Sequence, residues 1–347
     1  MDSIIGSFDG QTLVRIGDAT VAVLPGDDPD DVRRRARQAA RSISQLRGDQ
    51  PDLPSLRVGL AAGLSQLLLV PVGERRVWTL IGDPPALAAQ AQTHAAPDSV
   101  YEHESVAGWR GPAATWPVDT STSGLSDLLP RTLAGETAST DWLGEVRPLT
   151  VLFCQLSDEH GSHLTDSGRI VDAVAGLHRL FVLGDAPIDQ LIWDEKGLQI
   201  AAMFGTQADR SPEHAPLRAV DTALRSIEAA AELRLSRTIG IATGTTVIGA
   251  FGDDRHRTFT CLGPTVNLAA RLAGLERGQV RVDAETARLA DTGLDYRTVH
   301  YDLKGLGEVA VSVPTRASGV AAGGTPGGTA MGAGIVARRG ELEQIRR

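Results

Sequence analysis

Residues 258–272 read TFTCLGPTVNLAARL, and the organisation of the chain can be worked outward from them. An apolar, strand-like run ends at Gly263-Pro264. That pair lets a strand turn sharply into a helix, whose first turn tolerates proline. The Ala-rich stretch beyond predicts the helix. Asn267 and Arg271 stand four apart in it. The spacing puts an amide and a guanidinium on one helix face, one turn apart. An amide and a fixed cation aimed at one spot suit a sugar and a polyphosphate. A surface helix carrying two polar residues is the plain alternative, and the stretch alone does not separate the two.

The stretch closely resembles the signature of class III nucleotidyl cyclases, in which a strand, a turn and a VNxAxR helix hold the substrate. Other segments resemble the same family in the same order. VRPLTVLFCQLS (146–157) is similar to the first strand of the catalytic domain, and WDEKGLQIAAMFG (193–205) to its central hairpin. TIGIATGTTVIGAFGD (238–253) is similar to the next strand and glycine turn, and YDLKGLGEVAVSVP (301–314) to the closing strand. The resemblance spans roughly residues 145–316. The alternation of apolar runs with helical windows such as 217–233 reads as strand–helix–strand–strand–helix–strand. That order predicts a ferredoxin-like α+β lobe. The resemblance implies two such lobes set head to tail, with active sites between them.

The first half of the chain repeats the second. LRVGLAAG (56–63) compares with TIGIATG (238–244): Gly59 and Gly240 lie 181 apart, as do Gly63 and Gly244. VWTLIGDP (77–84) compares with TFTCLGPT (258–265), and Gly82 to Gly263 is again 181. VRIGDATVAVLP (14–25) matches 194–205 at 180, setting Gly17 on Gly197, and Val100 pairs with Val280 at 180. A near-constant offset over about a hundred residues indicates an internal duplication. Subtracting it from the strand near 146 and its following helix gives positions before residue 1, so the first lobe is expected to lack both.

The expected organisation is therefore a truncated first lobe over 1–110, a connector over 111–144 and a complete second lobe over 145–316. A Gly/Ala-rich linker follows over 317–334. IVARRGELEQIRR (335–347) resembles the start of a P-loop ATPase module, although GxxxxGK[ST] occurs nowhere in the chain. An Arg-rich segment over 30–46, acidic at its start, reads as a solvated helix. The two lobes are expected to pair with each other as an intramolecular pseudo-dimer.

Composition sets limits. The 347 residues suffice for about two ordinary domains, and a hydrophobic content of 42% supports packed cores. A net charge of −9 disfavours a nucleic-acid groove, and 4% aromatics disfavour base-stacking platforms. Cys154 and Cys261 sit in apolar, strand-like runs and read as buried thiols in a reducing compartment. No apolar run approaches the ~18 residues that span a bilayer, and the N-terminus has no signal-peptide pattern. No membrane contact and a cytoplasmic location are expected.

The resemblance implies a chemistry: attack of the ribose 3′-hydroxyl of ATP on the α-phosphorus, with loss of pyrophosphate. Two Mg2+ or Mn2+ ions held by two carboxylates assist it in this family. Asp18 in RIGDA takes the hairpin metal position, with an Asx-type turn as its plain alternative. The second-lobe counterparts are Gln155 and Leu198, neither of them a charged ligand for a hard cation. The match to the soluble, bicarbonate-responsive adenylyl cyclases implies that Lys196 and Thr260 read adenine, Asn267 orients the ribose and Arg271 meets the phosphates. That group's bicarbonate lysine is replaced by Val14, next to Arg15. Asn267 and Arg271 correspond to Ala86 and Gln90 in the first lobe, so one lobe holds a metal position and the other the remaining half-site. The second reading is a non-catalytic, nucleotide-binding module that regulates an attached ATPase or transcriptional domain.

Overall fold

The computed structural model describes residues 1–16, 19–73, 75–110, 144–206, 212–232, 234–252, 257–303 and 305–316. Residues 111–143 of the connector, the linker over 317–334 and the tail over 335–347 lie outside the described residues, as does Asp18.

The second lobe is organised by one long strand, β7 (Glu145–Asp158). Its central residues are apolar on both faces, as a strand covered on two sides requires. It pairs antiparallel with β10 (Leu235–Gly252) on one edge and with β9 (Gly197–Phe204) on the other. The sheet continues through β8 (Gln190–Asp194) beside β9. On the far side β12 (Val280–Val282) lies parallel to β10, followed by β14 (Gly307–Arg316) and β13 (Leu294–Leu303), while β11 (Arg257–Leu262) folds back on β10. The mixed α+β arrangement matches the expected strand and helix order, with β11 to β14 added at its end.

Helices close both faces. α6 (Ser167–Leu183) and α7 (Ala215–Glu232) cover one side. There Ile170, Leu177 and Phe181 meet Leu152, Leu156 and Ile200 in the larger core. α8 (Pro264–Ala273) covers the other, laying Val266, Ala269 and Ala273 on Val151, Phe153 and Met203. α6 starts at Asp166, whose carboxylate accepts from Arg169 N at 2.7 Å, and α9 (Ala284–Leu289) is capped in the same way by Asp283. Cys154 and Cys261 are buried free thiols, both pushed up to about 12, chiefly by burial.

The first lobe repeats part of this plan. β3 (Arg57–Leu60) lies parallel to β6 (Ser99–Glu102) with Val58 facing Val100, the counterpart of Ile239 facing Val280. β4 (Ser65–Val72) pairs with β5 (Arg75–Gly82) with Leu67 facing Leu80, as Ile248 faces Cys261. α4 (Asp83–His94) crosses β3 so closely that a side chain at Gly59 would strike the backbone of Ala88 and Gln92. α8 crosses β10 the same way at Gly240, over Ala269 and Ala273. The four contact residues are 181 apart in pairs, so the duplication read from the sequence reappears as one crossing built twice. α1 (Asp2–Ser7) and α2 (Pro29–Ser44) complete the lobe with the hairpin β1 (Gln11–Ile16) and β2 (Ala19–Val23).

Among the described residues the strands of the first lobe form three separate ribbons, β1–β2, β3–β6 and β4–β5. The β4–β5 ribbon turns Leu68, Val70, Val72, Val77 and Ile81 into the larger core of the second lobe. Trp193 on β8 donates its indole N–H to the Gly82 carbonyl at 2.7 Å, a hydrogen bond between lobes.

Candidate functional site

The site is built around α8. Gly263 precedes it at φ 139, a conformation that L side chains rarely adopt and the means by which β11 turns into the helix. Gly82 holds the same place before α4 at φ 131. Val266, Ala269, Leu272 and Ala273 bury one side of α8 and fix its rotation. Asn267 and Arg271 are thereby left half-buried on the remaining face. The Arg271 guanidinium reaches across to the β13–β14 turn, its Nη1 3.7 Å from where a β-carbon at Gly305 would sit.

Lys196 comes to the same end of α8 from the opposite direction. It lies in the turn between β8 and β9, and its Nζ stands 3.9 Å from where a β-carbon at Gly274 would sit. The Arg271 carbonyl is 3.4 Å from that point. Lys196 and Arg271 therefore flank the C-terminal end of α8.

Three side chains fix the turn. Gln155 donates Nε2–H to the Lys196 carbonyl at 2.6 Å. Asp194 accepts from the Lys196 backbone N–H at 2.8 Å and from Gln199 Nε2 at 2.7 Å. Burial pushes the Asp194 carboxyl above the usual carboxylate range, and the neighbouring Glu195 charge adds to this; the Lys196 N–H, the Lys196 charge and Gln199 oppose it. The reading of the sequence missed this trio. Two signals were available: an Asp two residues before Lys196, as in Asx turns, and a glutamine inside the otherwise apolar strand GLQIAAMF.

Thr260 lies elsewhere. It is buried on β11, opposite Gly249, beside a cavity of about 10 Å³ lined also by Val151, Met203, Val266, Asp189 and Gln190. That volume holds roughly one water, so a purine there requires side chains to move. Lys196 does not line the cavity. Thr260 sits near the N-terminal end of α8 and Lys196 beyond its C-terminal end, a helix length apart. The structure thus groups Lys196 with Arg271, places Asn267 on the helix between, and sets Thr260 at the far end.

Leu198 is fully buried in the core, and Gln155 spends its amide on the Lys196 carbonyl, so the second-lobe pair does not fit a divalent cation. No group of three or more His, Cys, Asp or Glu side chains suited to a metal occurs among the described residues. Asp18 lies outside them. On α4, Ala86 and Gln90 occupy the places of Asn267 and Arg271 and supply no cation.

Among the described residues no helix is long and apolar enough to cross a membrane. Residues 203–320 match the family described as the adenylate and guanylate cyclase catalytic domain. The chain is 26% identical over 148 residues to adenylate cyclase type 10 of Homo sapiens, which covers 42% of this chain and 9% of that protein. The Mus musculus protein of the same name is 27% identical over 149 residues, with the same coverage. The chain thus spans about a tenth of these relatives' length. Among solved structures, the adenylyl cyclase CyaB from P. aeruginosa is 20% identical, covering 51% of this chain and 98% of that one at a TM-score of 0.46. A guanylate cyclase domain from Catenaria anguillulae in complex with GTP is 19% identical, covering 50% and 100% at 0.43.

Proposed function

We propose that this chain, whose residues 203–320 match the adenylate and guanylate cyclase catalytic domain, is the catalytic region of an adenylyl cyclase. The reaction is attack of the ribose 3′-hydroxyl of ATP on the α-phosphorus, releasing cyclic AMP and pyrophosphate. The two lobes act as a pseudo-dimer within one chain, with a single productive site. In this reading Lys196 recognises adenine, Thr260 joins it once the side chains around its small cavity move, Asn267 orients the ribose and Arg271 neutralises phosphate charge as the transition state develops. Divalent Mg2+ or Mn2+ supplies charge neutralisation in this family, and Asp18 is the carboxylate this chain offers for it.

One observation carries the reading. The β8–β9 turn brings Lys196 to the end of α8 that carries Arg271, and Asn267 lies one turn back on that helix. Two cations and an amide on one helix and its neighbouring turn suit a nucleotide better than they suit a core helix. The interlobe contacts support the pairing: the β4–β5 ribbon shares a core with α6, and Trp193 binds Gly82.

The test is cyclic AMP formation from Mn-ATP by residues 1–347. Product that is lost in Arg271→Ala and Asp18→Ala supports the assignment. Product that persists in Asp18→Ala removes the metal role from Asp18. An ATP-over-GTP preference unchanged in Lys196→Ala and Thr260→Ala removes the base-reading role. Nucleotide binding without product, in the presence of Mn2+, favours the regulatory-module reading.

A further inference from the structure

The turn that carries Lys196 is fastened from within by Gln155, Asp194 and Gln199. It is also covered from outside. The chain leaving β7 makes a tight turn, in which the Asp158 carboxylate accepts from the His160 N–H at 3.0 Å and from the Ser162 N–H at 2.7 Å. The Asp158 N–H donates back to the Ser162 carbonyl at 3.0 Å, and His163 returns beside Ser157 in a single antiparallel bridge. Leu164, the next residue, is buried in the larger core and pins the segment. The His163 imidazole is thereby laid against Gly197, the residue after Lys196. Gly197 has φ 84, and a β-carbon there would stand 3.0 Å from His163 Cδ2 and 3.2 Å from Cγ. The ring lies hard against the turn. Its other neighbour is Trp193, which it meets near edge-on, with ring centroids 6.1 Å apart and planes at 77°. Trp193 is itself held: it packs in the larger core, and its indole N–H reaches the Gly82 carbonyl of the first lobe. The imidazole thus has a fixed backing on one side and the Lys196 turn on the other.

We propose that His163 is a positioning residue for base recognition, a wedge between Trp193 and Gly197 that holds the Lys196 turn in place. The proposal rests on the reading of Lys196 as the group that recognises the base. His163 acts through Gly197 and the turn, and the base is left to Lys196. Its contacts with Gly197 and Trp193 are contacts of shape. A phenyl ring should therefore replace the imidazole, and a methyl group should not. Discrimination between bases depends on where the Lys196 ammonium is held, so loosening the turn lowers the preference for one base more than it lowers overall affinity.

The test compares His163→Ala, His163→Phe, Lys196→Ala and the double variant His163→Ala/Lys196→Ala in the full chain 1–347. Fluorescent ATP and GTP analogues give the base preference, and amide hydrogen exchange over 194–199 reports on the turn. His163→Ala should narrow the preference about three- to tenfold and quicken exchange at least about threefold. His163→Phe should keep both within about twofold of wild type. In the double variant the preference should equal that of Lys196→Ala alone, because the wedge acts only through the lysine. An unchanged preference in His163→Ala, while Lys196→Ala loses it, overturns the proposal and leaves the reading of Lys196 standing. Faster exchange with an unchanged preference shows a structural role alone and also overturns it, as does His163→Phe behaving like His163→Ala. A preference that survives Lys196→Ala overturns the reading of Lys196 itself, and the proposal with it.

Discussion

The side-chain amide of Gln155 holds the backbone carbonyl of Lys196 at 2.6 Å. A residue at the centre of the sheet thereby fixes the turn that carries the most distinctive cation of the site. Gln155→Leu keeps the strand apolar but leaves that carbonyl without its donor, at a cost of about 1–3 kcal/mol in stability. Freed of this constraint, Lys196 should discriminate bases less well. Titration with fluorescent ATP and GTP analogues should show the preference narrowing about three- to tenfold while the chain stays folded.

Gly59 and Gly240 make the same helix crossing in the two lobes. An alanine at either must push a helix backbone away from its strand. Gly59→Ala and Gly240→Ala should each destabilise by about 1–3 kcal/mol, with the second at the upper end because β10 is central and fully covered. Thermal unfolding of both single variants and the double variant checks this. The sites share no partners, so their effects should add.

Trp193 is almost fully buried, and its indole N–H reaches the Gly82 carbonyl across the lobes. Trp193→Phe retains most of the apolar ring and removes only the donor. A loss of about 1 kcal/mol is expected, read as a lower urea midpoint at unchanged slope. A change in slope would mean that the lobes had come apart.

The buried Asp194 carboxyl titrates above its unfolded value. Burial favours its neutral form, so its stabilising contribution is full below the unfolded carboxylate pKa of about 3.9 and is lost as pH rises through the raised native value. Asp194→Asn keeps an uncharged acceptor for the Lys196 N–H. The stability difference between variant and wild type should therefore swing in favour of the variant as pH rises from about 3 to 7. A flat difference across that window would mean that Asp194 titrates normally.

Burial pushes the thiols of Cys154 and Cys261 up to about 12. Native protein at pH 8 should resist iodoacetamide, while urea-unfolded protein should take up two adducts, one for each cysteine in the chain. Intact mass measurement distinguishes these states.

Much of the fold was legible because its signals are local or periodic. Gly263-Pro264 before an Ala-rich run announces a strand turning into a helix, and α8 begins at Pro264. Glycines 181 apart announced the repeat, and the reason is physical: Gly59 and Gly240 lie where a helix backbone leaves no room for a β-carbon. What was not legible depends on long-range partners. Gln155 reads as the loss of a carboxylate, and only the fold reveals that its amide fastens a turn 41 residues away. The distance of Thr260 from Lys196 likewise follows from the length and direction of α8, which spacing along the chain does not give.

The inward face of the β4–β5 ribbon carries Leu68, Val70, Val72, Val77 and Ile81 into the same core as Ile170, Leu177 and Phe181 of α6. The division at the connector is therefore not a division of free energy. Excising residues 1–110 would strip the second lobe of five core side chains, and the excised piece would lose the surface against which its ribbon is ordered. The halves are bound to melt cooperatively, and an amino-acid change deep in either one is felt by both.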